Sequence, residues 1–402
     1  MLNSRLDLLN DYPFQRLNEL LAGIAPRANV PPVIMSVGEP QHQPPAFVAE
    51  IINRGARTWN RYPPVGGTPE FRVACADWLT RRYKLKPGTI DPERQIAPVA
   101  GSREGLFLAA LLAVSPERSN GTGRPVALMP NPFYQVYYGA SVMAGAEPVF
   151  MPATRQTGFL PDLDALDEAT LRRTAIMYLC SPANPQGTVA DLVYLKKALT
   201  LARQWDFLLV SDECYAEIYL GDTPPAGALE AAAALGGDLD NLIVFHTLSK
   251  RSSAPGLRSG FAVGSPETIK LFNRLRSYSC AATPLATLEA ATALWRDEAH
   301  VEATRAVYRA KYDIADRLLS GRFGYYRPDG GFYLWLDVGD GETATRRLWS
   351  EAAIKVLPGA YVTRPDASGR NIGQPYIRVA LVHDIETTEA ALTRVAQVLG
   401  SG

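Results

Sequence analysis

Six short, nearly unbroken apolar runs constrain this chain more than any other feature. They are Val126-Ala-Leu-Met129, Pro148-Val-Phe-Met151, Ala175-Ile-Met-Tyr-Leu179, Phe207-Leu-Leu-Val210, Leu242-Ile-Val-Phe245 and Gly260-Phe-Ala-Val263. Runs this short and this continuous suit strands buried on both faces. Amphipathic stretches lie between them, among them Glu104 to Val114 and Leu192 to Gln204. Strand and helix in alternation predict an α/β fold: a large domain with a mostly parallel central sheet flanked by helices. In such sheets ligands sit beyond the carboxyl ends of the strands.

The rest of the chain predicts a smaller α/β domain. Asp297 to Leu319 reads as one helix, followed by Phe332-Tyr-Leu-Trp-Leu336, Tyr376-Ile-Arg-Val-Ala380 and a final helix from Ile385 to Leu399. Tyr12 to Ala25 is amphipathic and Pro26 to Pro32 is a loop. Asp366 to Gln374 is polar and reads as a mobile loop. The expected division is a large domain over 47–285, with a small domain made from 1–46 and 286–402.

Composition removes several classes. Lys plus Arg number 41 and Asp plus Glu number 41, so the formal net charge is zero. A nucleic-acid binder or general polyanion binder needs a basic excess. No apolar run is long enough to span a bilayer, and Met1 to Leu21 mixes charge through its apolar positions, unlike a signal peptide. Cys75, Cys180, Cys214 and Cys280 form no CxxC pair and read as reduced core or near-site thiols in a cytoplasmic protein. His42, His246, His300 and His383 show no metal-ligand spacing, so no metal is expected.

Three polar residues lie at predicted strand exits. Asn184 sits in Ser181-Pro-Ala-Asn-Pro-Gln-Gly187, Asp212 in Leu208-Leu-Val-Ser-Asp-Glu-Cys-Tyr215, and Lys250 in Phe245-His-Thr-Leu-Ser-Lys-Arg251. Arg258 follows in Gly256-Leu-Arg-Ser-Gly260. A lysine that can form an imine, beside donors that can hold a phosphate, suits this set. Singly, each residue has a plainer reading: Lys250 a solvated strand end, Asp212 a helix N-cap, Tyr215 core packing, Arg378 an edge-strand surface residue.

Over essentially the whole chain, these motifs resemble the class I aminotransferase group of fold type I pyridoxal-phosphate enzymes. The resemblance implies pyridoxal 5'-phosphate as cofactor, held covalently by Lys250, which then serves as the proton-transfer base. It implies that Asp212 pairs with the pyridine nitrogen and keeps it protonated, and that Asn184 and Tyr215 bond the ring's 3-oxygen. Gly101, Ser102 and Arg103, ahead of a helix read from Glu104, would cup the phosphate with Thr247, Ser249 and Arg258. Tyr134 would stack on the ring, with Phe133 as its rival. Tyr62, in Arg61-Tyr-Pro-Pro-Val-Gly-Gly67, would reach the phosphate of a neighbouring subunit in a homodimer; alone it reads as a surface turn. Arg378 would clamp the substrate α-carboxylate, with Asn184 and Gly38 beside it. The substrates implied are amino acids and 2-oxo acids.

The wider wording resembles the succinyldiaminopimelate aminotransferase branch, which works in bacterial lysine and diaminopimelate biosynthesis with 2-oxoglutarate. It is carried by Leu6 to Leu17, Asn131-Pro-Phe-Tyr-Gln-Val-Tyr137, Ser211 to Ile218, Leu248-Ser-Lys-Arg-Ser252 and Arg327 to Trp335. Ser253-Ala254 departs from the branch pattern, Asn184-Pro-Gln-Gly187 departs from the wider family's Asn-Pro-Thr-Gly turn, and Arg103 stands where aspartate-type members carry Thr. Ser279 to Leu288 contains no Arg or Lys, so a distal substrate anion must be met elsewhere; Arg103, Arg16 and Arg27 are the candidates. Alternatives are another class I aminotransferase of different specificity, a carbon–sulfur lyase of the same fold, or a cofactor-sensing domain, which would need a basic N-terminal recognition helix that the sequence lacks. A nicotinamide enzyme is disfavoured because no GxGxxG follows an early strand.

Overall fold

The computed structural model describes residues 2–9, 12–119 and 123–400. Asn10 and Asp11, inside the Leu6 to Leu17 motif, lie outside them. In chain order the strands are β1 (Val33–Ile34), β2 (Ile96–Val99), β3 (Val126–Asn131), β4 (Glu147–Pro152), β5 (Thr174–Cys180), β6 (Leu208–Asp212), β7 (Leu242–Thr247), β8 (Gly260–Gly264), β9 (Tyr333–Asp337), β10 (Ile354–Lys355), β11 (Leu357–Pro358) and β12 (Tyr376–Ala380). Seven of them form one sheet in the order β2-β8-β7-β6-β5-β3-β4. Pairing from β4 through β7 is parallel, and β8 is antiparallel to both its neighbours.

The apolar runs form these strands because both faces are covered. Val126 and Leu128 join one core cluster while Ala127 and Met129 join the cluster on the opposite face, and β5 divides likewise into Met177 and Leu179 against Ile176 and Tyr178. Successive side chains of a strand point to opposite faces, so each run feeds two cores. Burying each large apolar side chain stabilises by about 1.5–3 kcal/mol. Leu192–Trp205 shows the covering logic. Asp191 caps it by accepting from the Tyr194 N–H, Leu195, Ala198, Leu199 and Ala202 form the buried stripe, and Asp206 ends it in a left-handed conformation.

A three-stranded antiparallel sheet, β11-β12-β9, packs with the helices Ala299–Leu319, Gly341–Ala352 and Ile385–Gly400 around a separate apolar cluster. The early segment joins this body: β1 pairs in parallel with β10, and the Met35 carbonyl accepts from the Ala380 N–H at 2.7 Å. Asp366 to Gln374 forms a turn closed by Asp366, which accepts from Ser368 and Arg370.

Sequence periodicity did not reveal β2 or the reversed direction of β8. Pro98 interrupts the β2 pattern, and an apolar run carries no direction. The ends of β5, β6 and β7 deliver Cys180, Asp212 and Thr247 to the same edge.

Candidate active site

Lys250 lies in the single helical turn Leu248–Arg251 that follows β7. Thr247 starts the turn by accepting from the Ser249 N–H, and buried Leu248 anchors it. The turn points the ammonium into the molecule, where it donates to the Gly38 carbonyl and lies 5.4 Å from the centre of the Phe332 ring. Burial disfavours the charged form and, with Arg378 nearby, lowers the Lys250 pKa to about 8; Cys214 opposes that shift.

Asp212 ends β6 and is buried. Burial raises its pKa, and the Tyr137 hydroxyl opposes this by donating to Oδ2 at 2.6 Å, as does the Cys214 N–H at 3.3 Å to Oδ1. Tyr137 is itself fixed by stacking on Tyr178, with centroids 4.5 Å apart and planes at 13°. Sequence reasoning missed Tyr137: it sits in a quoted motif, but nothing local signals a partner 75 residues away.

On the other side of the cavity, β12 carries Arg378. Its Nη1 donates to Asn184 Oδ1 at 3.3 Å, its Nη2 donates to the Ser36 carbonyl at 2.7 Å, and its guanidinium lies 4.5 Å over the Tyr333 ring. Asn184 Nδ2 reaches the Tyr215 hydroxyl at 3.5 Å, and Tyr215 meets the Tyr333 hydroxyl at 3.2 Å. A side chain at position 38 would overlap the Tyr333 phenol, so the close approach of this backbone requires glycine. Tyr333 is a second residue that the sequence reading left unassigned.

The helix read from Glu104 begins at Ser102. Gly101 is its N-cap, with φ 81° and ψ 158°, a backbone region open essentially only to glycine. The Arg258 guanidinium packs where a Cβ of residue 101 would lie and donates to the Ala100 carbonyl at 2.6 Å. Thr247 Oγ1 donates to Ser249 Oγ at 3.0 Å. Arg103 donates to the Tyr134 hydroxyl at 2.9 Å and reaches that of Tyr12 at 3.5 Å.

One cavity is lined by Gly38, Ser102, Arg103, Tyr134, Asn184, Asp212, Tyr215, Lys250 and Arg378. Gly101 and Arg258 adjoin its Ser102 end; Thr247 and Ser249 are buried at the base of the Lys250 turn. Tyr62 is not joined to it and is fully exposed, at 101%. Phe133 is buried against Phe150 and Tyr138 in the core, although one edge borders the cavity, whereas the Tyr134 hydroxyl faces Arg103. Arg16 lies over the Tyr361 ring and Arg27 donates to the Glu351 carbonyl; neither lines the cavity. Among the lining residues, Arg103, Lys250 and Arg378 stand against one acid, Asp212. The lining therefore favours anionic ligands.

These residues fit the phosphate-bearing pyridine group that the sequence resemblance implies. The side-chain-free cradle at Gly101 beside a guanidinium and a helix N-terminus suits a phosphate. The buried carboxyl of Asp212, lining the cavity and steadied by Tyr137 and Cys214, suits a protonated ring nitrogen.

A family model described as aminotransferase class I and II matches residues 31–395. An LL-diaminopimelate aminotransferase of Syntrophobacter fumaroxidans is 31% identical over 404 residues, covering 98% of this chain and 98% of its own. The crystal structure of an aminotransferase from Neisseria meningitidis superposes with TM-score 0.93 at 39% identity, over 98% of this chain and 99% of that one. A probable N-succinyldiaminopimelate aminotransferase of Thermus thermophilus superposes with TM-score 0.79 at 25% identity, over 96% and 100%.

Proposed function

The chain belongs to the class I and II aminotransferases, whose cofactor is pyridoxal phosphate, and from that premise we propose that it moves an amino group between a diaminopimelate-type amino acid and a 2-oxo acid. The carrying observation is the charge layout of the cavity: Arg378 at one side, Arg103 at the Tyr12 side, and Lys250 and Asp212 also lining it. An amino acid with an anion at each end matches two separated guanidinium groups.

Lys250, Asp212 and Tyr215 are the proposed catalytic residues. Arg378 binds the substrate α-carboxylate through its planar fork, with Asn184 completing the seat. The Lys250 amine, its pKa lowered to about 8, moves a proton at the substrate Cα. Asp212 would keep a proton on the pyridine nitrogen, and Tyr137 holds Asp212. Asn184 and Tyr215 would bond the ring oxygen, Tyr134 would cover the ring, and Gly101, Ser102, the Arg103 backbone, Thr247, Ser249 and Arg258 would hold the phosphate, leaving the Arg103 side chain for the substrate. When bound, pyridoxal phosphate supplies the electron sink that makes the Cα proton acidic.

For the substrate, we take N-succinyldiaminopimelate with 2-oxoglutarate as acceptor. The sequence motifs and the likeness to the Thermus protein support it. LL-diaminopimelate without the succinyl group is the second reading, favoured by the name of the 31% identical relative; the two are different enzymes. Arg103 would meet the distal anion in either case. The large cofactor-binding domain is taken as 47–285 and the small domain as 1–46 with 286–402. The working unit is a two-fold homodimer, supported by the exposure of Trp59 at 75%, Tyr62 at 101% and Tyr278 at 91%. Tyr62 would then reach the partner's phosphate site.

Steady-state assays with succinylated diaminopimelate, free LL-diaminopimelate, glutamate and aspartate as donors decide the specificity. The succinylated donor should give the largest kcat/KM. LL-diaminopimelate ahead of it would transfer the assignment to the second reading, and aspartate ahead of both would remove it. Lys250→Ala should abolish turnover while preserving the fold. Light scattering should show a dimer, and a fully active monomer would refute the shared site.

A further inference from the structure

Cys180 and Cys214 are 34 positions apart in sequence (214 − 180). The sheet brings them together. The last residue of β5, Cys180, is in register with Asp212 of β6, and Cys214 follows two residues later. The two Sγ atoms and a carboxylate oxygen of Asp212 all lie within 4.8 Å of one another, and all three residues line the active-site cavity. Neither cysteine is in a disulfide. The Cys180 thiol donates to the Pro182 carbonyl at 3.2 Å.

We propose that Cys180, Asp212 and Cys214 form a site for a soft divalent cation of the zinc or cadmium class in the cofactor-free enzyme, and that cation and cofactor exclude each other. Two thiolates and one carboxylate are a favoured donor set for such ions. Zinc–sulfur bonds of about 2.3 Å place two tetrahedral thiolates about 3.8 Å apart, so the group needs to contract by no more than about 1 Å. Three protein ligands leave one coordination position for solvent from the cavity. Each ligand group that the cation engages gives up its proton on binding. Mutual exclusion rests on the function proposed above, because it requires Asp212 to be the seat of the pyridine nitrogen.

The experiment uses the whole chain freed of cofactor. Titration with cadmium should produce ultraviolet thiolate-to-metal charge-transfer absorption that saturates at one ion per chain. Cys180→Ser/Cys214→Ser, checked for a native circular dichroism spectrum and for cofactor binding, should lose that signal. No absorption at stoichiometric cadmium, or the same absorption in the double variant, overturns the site. Pyridoxal phosphate is then added after unbound metal has been removed. Loss of the charge-transfer band as the cofactor's visible band appears supports exclusion; both bands together overturn it. With metal at ten times its dissociation constant, the apparent cofactor Kd should rise about elevenfold. Failure of the functional reading is distinguishable: metal-free protein would then show no cofactor band at all.

Discussion

Tyr137→Phe tests how the site is tuned with little change in shape. The substitution removes one hydroxyl and keeps the ring that stacks on Tyr178 at 4.5 Å. Asp212 Oδ2 loses its 2.6 Å donor, leaving Cys214, through its N–H and its thiol, as the remaining partner. A hydrogen bond to a charged group is worth about 1.5–3 kcal/mol, and 1.36 kcal/mol corresponds to one pKa unit. Burial already raises the Asp212 pKa, and Tyr137 is the first group opposing it. Its removal therefore raises the carboxyl pKa further. A protonated Asp212 cannot compensate a protonated ring nitrogen, so kcat should fall about ten- to a hundredfold, with cofactor affinity falling in parallel. The sign of the pH effect follows. A group whose folded pKa is raised stabilises the fold below its unfolded pKa and loses that contribution as pH rises through the folded value. The cofactor-free variant should thus be destabilised more at neutral pH than near pH 4, close to the unfolded carboxyl value. The assays are steady-state transamination, cofactor titration by visible absorbance, and thermal unfolding at both pH values. A loss of less than twofold in kcat and cofactor affinity, or equal destabilisation at both pH values, would refute the reasoning.

Gly101→Ala should weaken cofactor binding by about tenfold or more, because a glycine-only backbone region costs about 1–3 kcal/mol for another residue and the new Cβ displaces Arg258; unchanged equilibrium affinity would argue against the phosphate cradle. Arg378→Lys should raise KM for every amino acid donor by about ten- to a hundredfold, since the fork becomes a point charge; a loss confined to one donor would place Arg378 elsewhere in recognition. The rate at which cofactor-free protein takes up pyridoxal phosphate should rise with pH and level off above about 8, as the Lys250 amine loses its proton; stopped-flow absorbance measures it, and a profile still climbing near pH 10, the ordinary lysine range, would contradict the burial argument.

Strand positions were legible because each buried strand writes an apolar run, and β3 through β7 match their runs to within a residue or two. Strand direction was not: β8 has the same apolar character as its parallel neighbours and runs against them. The two-residue pieces Val33–Ile34 and Ile354–Lys355 are too short to carry a period. Within the cavity, Lys250, Asp212, Asn184 and Arg378 were legible because each sits in a local motif at a strand or near its end. Tyr137, Tyr333 and the Cys180–Cys214 pair were not, because their significance lies in who meets them across the fold. The cysteine reading looked for short spacings, and the sheet supplied a long-range one. Phe133 packs into the core while the Tyr134 hydroxyl faces Arg103, a difference that two adjacent positions do not announce.

The Lys250 ammonium donates to a carbonyl at residue 38, and the guanidinium that lines the same cavity is at residue 378. Tyr12 lines it too, so the cavity draws on a span of 366 residues (378 − 12). On the ribosome, most of the seven-stranded sheet could fold while Arg378 is still untranslated. Domains fold progressively as a chain is made, and contacts of long sequence separation close late. A nascent chain halted before β12 would expose Lys250 and Asp212 without the guanidinium proposed to bind the substrate carboxylate. Prematurely terminated products would then be open to indiscriminate aldehydes, and the order of synthesis makes selectivity the last property the protein acquires.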